Sequence, residues 1–182
     1  MAATPSNMIP LGTLAPTFDL ENVNGGRIEF DPENGKPEGD GFLICFICNH
    51  CPFVKHVEYE LISIANEAEK EGIRVFAISS NDVEKYPDDA PEMMAQKNYP
   101  FPYLYDETQE VAKAYDAACT PDFYLFDGNY RLVYRGQMDN SRPGNDKPVN
   151  GHDLREAISA LLNGQPLLKD QWPSIGCNIK WK

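Results

Sequence analysis

Two cysteines separated by two residues lie between a predicted strand and a predicted helix. Cys48 and Cys51 lie in the run 48–52 (CNHCP), directly after the apolar and β-prone stretch 42–47. A long amphipathic pattern begins immediately after Cys51. This order of strand, cysteine pair and helix places both thiols at a helix N-terminus, where unpaired N–H groups and a partial positive charge lower thiol pKa values to about 3.5–7.5. The pattern therefore predicts thiol–disulfide chemistry.

The two thiols have different expected roles. We expect Cys48, the outer residue, to be the attacking thiolate, and Cys51, deeper in the first helical turn, to resolve the mixed disulfide. The alternatives are half of a zinc site or two inert core thiols. Apart from Cys45-x-x-Cys48, which overlaps the motif, the sequence contains no further Cys-x-x-Cys and no His-x-x-x-His that could complete a zinc site. We therefore predict a redox pair that uses no metal and no cofactor.

A non-enzymatic alternative uses the same region as a metal-binding or partner-binding module. Its ligands would be Cys45, Cys48, His50 and Cys51, three thiols and one imidazole that could hold a soft ion. An extended strand places Cys45 a full pleat away from the turn, which disfavours a compact tetrahedral site.

Composition excludes several classes of partner. The 28 acidic residues outnumber the 16 basic ones, giving a net charge of −12, and the basic residues form no stripe. Nucleic acids and anionic membranes are therefore not expected as partners. The first residues lack a signal-peptide pattern, and no apolar run has the roughly 18 residues of a membrane span, so we expect a cytoplasmic protein. Five cysteines in 182 residues are too few and too unevenly placed for a disulfide framework, which agrees with a reducing compartment.

The remaining patterns predict a single domain over residues 1–182, with an N-terminal arm at 1–16 and a tail at 165–182. Alternating runs on both sides of residues 24–26 (NGG) predict a β-hairpin. The predicted core elements are a strand at 42–47, a helix ending before Gly72, a strand at 73–79, a helix at 108–118, strands at 122–126 and 130–135, and a helix at 153–162. Residues 81–100 are predicted to be an insertion with a short helix at 91–97, and 101–105 a short strand.

This element order resembles the thioredoxin fold, with a Cys-x-x-Cys after the first core strand and a Thr-Pro before the third. Residues 12–20 (GTLAPTFDL) resemble the opening of the redoxin branch, the peroxiredoxin and alkyl hydroperoxide reductase type proteins. The runs 48–55, 137–145 and 176–181 are similar to a peroxiredoxin-like group of thioredoxin-family proteins. The resemblance implies an α/β thioredoxin fold: three α/β/α layers with a central mixed sheet, an N-terminal β-hairpin extension and an insertion before the second core helix.

The same resemblance implies an enzyme that acts on protein or small-molecule disulfides and thiols, or on hydroperoxides, and is recharged by an external thiol reductant. Peroxiredoxins carry a Pro-x-x-x-Thr-x-x-Cys motif. When Cys51 is laid on the cysteine of that motif, the threonine position holds Cys48 and the proline position holds Ile44. Dithiol exchange is therefore favoured. The alternative is a thiol peroxidase, in which a hydroperoxide oxidises Cys48 or Cys51 to a sulfenic acid that the other thiol captures.

Other residues are expected to shape the site. Thr120 and Pro121 resemble the cis-proline loop that lies against the dithiol, the alternative being an ordinary trans bond. His50 precedes the second cysteine, as in strongly oxidising disulfide oxidases, and we expect it to raise the reduction potential. The alternative is a solvent-facing histidine that only shapes the turn. The predicted site-shaping residues are Asn49, His50, Pro52, Thr120 and Pro121.

Two thiols outside the motif are additional candidates. Cys119 adjoins the Thr-Pro pair and is either a simple buried residue or a third thiol near the site. Cys177 is either an additional resolving thiol on a folded-back tail or a structural cysteine beside Trp172 and Trp181, and a structural role is favoured.

Charged residues near the site also have two interpretations. Asp139 and Arg142 either form an ion pair that orders their loop or are two solvated charges. The carboxylates between Asp82 and Asp89 are expected to be solvated.

Overall fold

Strands and helices alternate along the part of the chain that the computed structural model describes, residues 3–35, 39–168 and 170–182. The strands are β1 (Ala3–Pro5), β2 (Phe18–Asn22), β3 (Arg27–Phe30), β4 (Gly41–Phe46), β5 (Ile73–Ser79), β6 (Tyr103–Tyr105), β7 (Cys119–Thr120), β8 (Asp122–Asp127), β9 (Leu132–Gly136) and β10 (Ile175–Asn178). The helices are α1 (Pro52–Lys70), α2 (Pro91–Ala95), α3 (Glu110–Ala114) and α4 (His152–Leu162), and a 3₁₀ turn spans Pro87–Asp89. Within these ranges, no helix combines the length and apolar character needed to cross a bilayer.

The larger sheet is built around β4. Its strand order is β3-β2-β6-β5-β4-β8-β9, with β4 parallel to β5 and antiparallel to β8. All six residues of β4 are buried, as its apolar character on both faces predicts for a central strand. β2 and β3 form the predicted antiparallel hairpin, and β2 joins the sheet through β6. The predicted mixed sheet with a hairpin extension is therefore confirmed.

Helix α1 fixes the end of the cysteine motif. Cys51 is its N-cap residue and Pro52 occupies its first turn, where the missing N–H of proline costs no hydrogen bond. The side chains that α1 buries are those predicted from the sequence: Val54, Val57, Leu61, Ile64, Ala65 and Ala68. Burial of each larger one stabilises the fold by roughly 1.5–3 kcal/mol. This buried face docks α1 on the sheet and so holds its N-terminus beside the end of β4.

Helices cover both faces of the sheet. α1 and α4 share one apolar cluster with β4 residues such as Leu43, and α3 contributes Val111 and Ala112 to the cluster on the opposite face. The predicted three-layer α/β/α arrangement is confirmed.

The helix predicted at 108–118 is shorter than expected. α3 covers only Glu110–Ala114, because Gln109 and Asp116 adopt left-handed φ angles of 63° and 51° on either side of it. The Gln109 side chain donates to the carbonyl oxygen of Lys180 at 2.9 Å. A contact with a residue distant in sequence therefore accompanies the start of α3. The spacing of apolar residues within 108–118 contains no information about such a contact.

Parts of the predicted arm and tail are strands. β10, in the tail, pairs with β1, in the arm, and also with β7, so the smaller sheet has the order β1-β10-β7. Ala3 lies opposite Cys177, and Cys177 lies opposite Thr120. These strands are only two to four residues long, which is too short for an alternating pattern to reveal them.

Candidate active site

The cysteine motif lies in the loop between β4 and α1, and both of its thiols are buried. Cys48 is 1% exposed and Cys51 is 0% exposed. The Cys48 Sγ lies 3.4 Å from Oγ1 of Thr120, and the Cys51 Sγ lies 3.3 Å from the Thr120 carbonyl oxygen. The Thr120–Pro121 peptide bond is cis. The predicted Thr-Pro loop therefore packs directly against the predicted dithiol.

A third thiol joins this pair. The Sγ of Cys177, on β10, lies 2.7 Å from the Sγ of Cys51. Cys177 is buried, and all five cysteines are free thiols. Trp172 and Trp181 are 62% and 41% exposed, and the role of Cys177 stays a prediction.

The pKa values of the two motif thiols shift in opposite directions. The pKa of Cys51 is lowered to about 5, because the Cys48 thiol, the Cys177 thiol and the Val54 amide all donate hydrogen bonds to its sulfur. The pKa of Cys48 is raised, since its thiol donates to Cys51, it is buried, and the charge of Asp89 lies nearby. That Cys48 is the attacking thiol stays a prediction. Burial raises the pKa of Cys177 to about 12, so it remains a donor.

A buried carboxylate of the insertion holds the motif loop. Asp89 is fully buried, and its Oδ1 accepts the backbone N–H groups of Asn49 at 2.7 Å and His50 at 3.1 Å. Its Oδ2 accepts from Nδ2 of Asn81 at 2.8 Å and lies 2.5 Å from Nδ1 of His50. Asp89 was expected to be solvated. Four donors surround its carboxylate instead. Nothing in the sequence of residues 81–89 distinguishes Asp89 from its acidic neighbours.

The ring of His50 is packed rather than solvent-facing. It stacks on Tyr86 with ring centroids 5.1 Å apart, and its side chain is 14% exposed. Because an ionised carboxylate only accepts hydrogen bonds, Nδ1 carries the hydrogen that faces Asp89. Nε2 is buried and has no hydrogen-bond partner among the described residues. The solvent-facing alternative is wrong, and the raised reduction potential stays a prediction.

The ligand set considered for a metal changes in the structure. Cys48, His50 and Asp89 place one ligand atom each within 4.8 Å of one another, whereas Cys45 lies inside β4. Nδ1 of His50 and both oxygens of Asp89 already hydrogen-bond to each other and to the loop. The residues present thus fit a loop-holding network better than a cation site.

Asn49 and Pro52 position the loop by other contacts. The Asn49 side chain donates to the Asp88 carbonyl at 2.9 Å and accepts from the Tyr103 hydroxyl at 3.2 Å. Pro52 begins α1. The sequence-predicted residues Asn49, His50, Pro52, Thr120 and Pro121 thus lie on the motif loop or directly against it.

Two groups beside the site are deeply buried. The Cys119 thiol lies 3.7 Å from the Pro121 carbonyl oxygen, and burial raises its pKa. Asp122 is also fully buried; its carboxyl accepts from the Tyr124 hydroxyl at 2.9 Å and from the Phe123 amide at 3.1 Å. Burial raises the pKa of Asp122 to about 8. In the sequence, Asp122 is only the first residue of a predicted strand.

The loop 137–151 is ordered by backbone hydrogen bonds. The Asp139 carboxylate accepts from the amides of Ser141, Asn150 and Gly151 at 2.7–2.9 Å. Arg142 donates to the Asp139 carbonyl at 2.7 Å, not to its carboxylate. The two alternatives considered for this pair, an ion pair or two solvated charges, are both replaced by this arrangement.

Gly176 lets β10 approach the dithiol, and its replacement should loosen that strand. A Cβ at this position would overlap the Thr120 carbonyl oxygen. We expect Gly176→Ala to lower the free energy of unfolding by about 2 kcal/mol through overpacking. Faster hydrogen exchange at the Ile179 amide, which donates to the Ala118 carbonyl at 3.1 Å, should report the loosening. Ile175→Ala, on the exposed side of β10, is the control, and equal exchange in both variants would contradict the prediction.

The fold and the site together define the class of protein as a thioredoxin-fold redoxin. The thioredoxin domain of a thiol-disulfide oxidoreductase from Bacteroides vulgatus superposes with a TM-score of 0.58 at 16% identity, over 82% of this chain and 99% of that chain. At this identity the likeness concerns the fold.

The AhpC/TSA family model matches residues 11–135, and the chain belongs to this family. An uncharacterized conserved protein from Geobacillus kaustophilus is 55% identical, with a TM-score of 0.94 over 100% of this chain and 97% of that chain. A hypothetical protein from Sinorhizobium meliloti is 45% identical, with a TM-score of 0.93 over 98% of each chain. No curated protein matches the sequence.

Proposed function

We propose that the chain is a thiol–disulfide oxidoreductase that uses Cys48 and Cys51 as its reactive dithiol. The observation that carries this proposal is the position of the Cys51 sulfur: at the N-terminus of α1, hydrogen-bonded to the Cys48 thiol and packed under Thr120. Its substrates are protein or small-molecule disulfides, and an external thiol is its reductant. Membership of the AhpC/TSA family supports chemistry at thiols.

The geometry supports a division of labour between the two thiols. The Cys51 thiolate takes the proton of Cys48, and the Cys48 sulfur attacks one sulfur of the substrate disulfide, whose other sulfur leaves as a thiolate. Cys51 then loses that proton and attacks the Cys48 sulfur. A Cys48–Cys51 disulfide forms and the second substrate thiolate is released. Because both sulfurs are nearly fully buried, local opening of the loops around them must precede exchange.

Insulin reduction with dithiothreitol as the electron source tests this proposal. Cys48→Ser should lower the turnover rate by at least about 20-fold, since a hydroxyl does not replace a thiolate nucleophile. Cys45→Ala, which removes a buried thiol within β4, should keep the wild-type rate. Full activity in Cys48→Ser would reject the proposal.

Peroxide reduction is the second candidate, and one observation favours it. The Cys51 sulfur, with its lowered pKa, contacts two other thiols, and either could capture a sulfenic acid formed there. Against it stand Cys48 and Ile44 at the positions where peroxiredoxins carry threonine and proline. Stopped-flow mixing with hydrogen peroxide separates the two activities. A rate no faster than that of free cysteine excludes the peroxidase, whereas a much faster rate without insulin reduction favours it.

A further inference from the structure

Cys177 is the thiol that the proposed dithiol reaction leaves without a role. Its Sγ lies 2.7 Å from the Sγ of Cys51, and both side chains are buried. A disulfide bond measures about 2.05 Å, so these two sulfurs must approach by less than about 1 Å to bond. Cys119 differs, because its thiol lies against the Pro121 carbonyl.

The backbone holds Cys177 in register with the motif. Cys177 pairs with Thr120 on one side and with Ala3 on the other. Thr120 is also the residue whose hydroxyl and carbonyl oxygens contact the sulfurs of Cys48 and Cys51. Since a strand on each side fixes β10, its thiol is presented to Cys51 at a defined position.

Hydrogen bonds at both ends of β10 strengthen this placement. Before the strand, Ser174 Oγ donates to the Pro121 carbonyl at 2.6 Å. After it, the Lys180 amide donates to Oδ1 of Asn81 at 2.8 Å, and the Lys180 carbonyl accepts from Gln109 at 2.9 Å. The strand is anchored to both the Thr-Pro loop and the insertion.

We propose that Cys177 is a third redox-active thiol, which takes over the disulfide from the motif by intramolecular exchange. This inference rests on the proposed function, because the Cys48–Cys51 disulfide is its starting point. The Cys177 thiol loses its proton and attacks the Cys51 sulfur. A Cys51–Cys177 bond forms, the Cys48–Cys51 bond breaks, and Cys48 leaves as a thiolate and takes up the proton. One disulfide and one thiol are present before and after the step, so it needs no external oxidant or reductant.

The exchange changes which disulfide the external reductant meets. Cys48 becomes a free thiol that can attack a second substrate, while the disulfide joins Cys51 to Cys177 on β10. The thiol reductant then has to open the Cys51–Cys177 bond to restore the three thiols.

Disulfide mapping by mass spectrometry tests this inference. Reduced wild type and variants are treated with stepwise amounts of diamide, a small oxidant of thiols, then quenched in acid, alkylated and digested. We expect Cys48→Ser to contain the Cys51–Cys177 disulfide in most molecules and Cys177→Ser to contain only Cys48–Cys51. Wild type and the Cys45→Ala control should each be a mixture, in which some molecules contain the Cys48–Cys51 disulfide and others the Cys51–Cys177 disulfide.

The outcomes separate this inference from the proposed function. If wild type reduces insulin but Cys177 stays open to alkylation at every level of oxidation, the third-thiol role is overturned and the dithiol mechanism stands. If the Cys51–Cys177 disulfide forms but insulin is not reduced, the proposed function fails and the reactivity of Cys177 is supported. The wild-type measurement requires no substitution, so a variant that misfolds does not affect the test.

Discussion

Replacing Asp122 with asparagine should abolish the loss of stability that this carboxyl causes as the pH rises from about 4 to 8. Burial raises the pKa of this carboxyl to about 8 in the folded protein, while an unfolded chain ionises it near 3.9. The folded state therefore keeps a proton that the unfolded state has lost. The stabilisation from this proton is complete below about pH 4 and disappears as the pH rises through 8, a total of up to about 6 kcal/mol.

An asparagine amide reproduces the neutral acid without its ionisation. Its carbonyl oxygen can accept from the Phe123 amide and its NH₂ can donate to the Tyr124 hydroxyl oxygen, two of the groups that contact Asp122. Urea unfolding at pH 5, 7 and 9 measures the effect, and the variant should be the more stable protein at pH 9. Asp127→Asn, at the other end of β8, is the control. A pH profile for Asp122→Asn parallel to that of wild type would contradict the assignment of this dependence to Asp122.

Removing the carboxylate of Asp89 should destabilise the protein by about 3–5 kcal/mol, because buried donors then lose a charged acceptor. In Asp89→Ala, the amides of Asn49 and His50, Nδ1 of His50 and the side chain of Asn81 all lose the partner they have in the wild type. Chemical denaturation measures the loss.

The neighbouring residue provides a matched control for Asp89. Asp88 is exposed and contacts the motif only through its backbone carbonyl, which accepts from Asn49. Asp88→Ala should therefore change stability by less than about 0.5 kcal/mol. In Asp89→Asn, loss of the charge should also lower the pKa of Cys48, since Asp89 helps to raise it. The pH dependence of the alkylation rate measures that pKa shift. Equal stability of Asp88→Ala and Asp89→Ala would contradict the role of Asp89 in holding the motif loop.

The parts of the fold that the sequence predicted correctly are those whose patterns are local. The buried stripe of α1 and the two-sided apolar strand β4 repeat over many residues, so the period of each pattern identifies the element. The position of the Cys48–Cys51 loop follows from the order of these two elements, because the loop connects β4 to α1. The contact of Thr120 with the dithiol also follows, because the resemblance to a known fold fixes where a Thr-Pro before the third core strand must lie.

The parts that were missed depend on contacts between distant segments. Asp89 and Asp122 are ordinary acidic residues in the sequence, and only tertiary packing buries them. The lowered pKa of Cys51 has the same origin, because the hydrogen-bond donors to its sulfur include Cys48 and Cys177. Spacing within the motif identifies a dithiol but not which sulfur holds the charge.

The position of β10 between β1 and β7 has a consequence for the order in which the site is assembled. Ribosomes make the chain from its N-terminus, so Cys48, Cys51 and the local unit of β4, α1 and β5 exist well before Cys177 is added. Cys177 can dock only by joining Ala3 and Thr120, a closure of high contact order that is expected to form late. During its own synthesis the protein therefore passes through a stage with two thiols in the site before it reaches the stage with three.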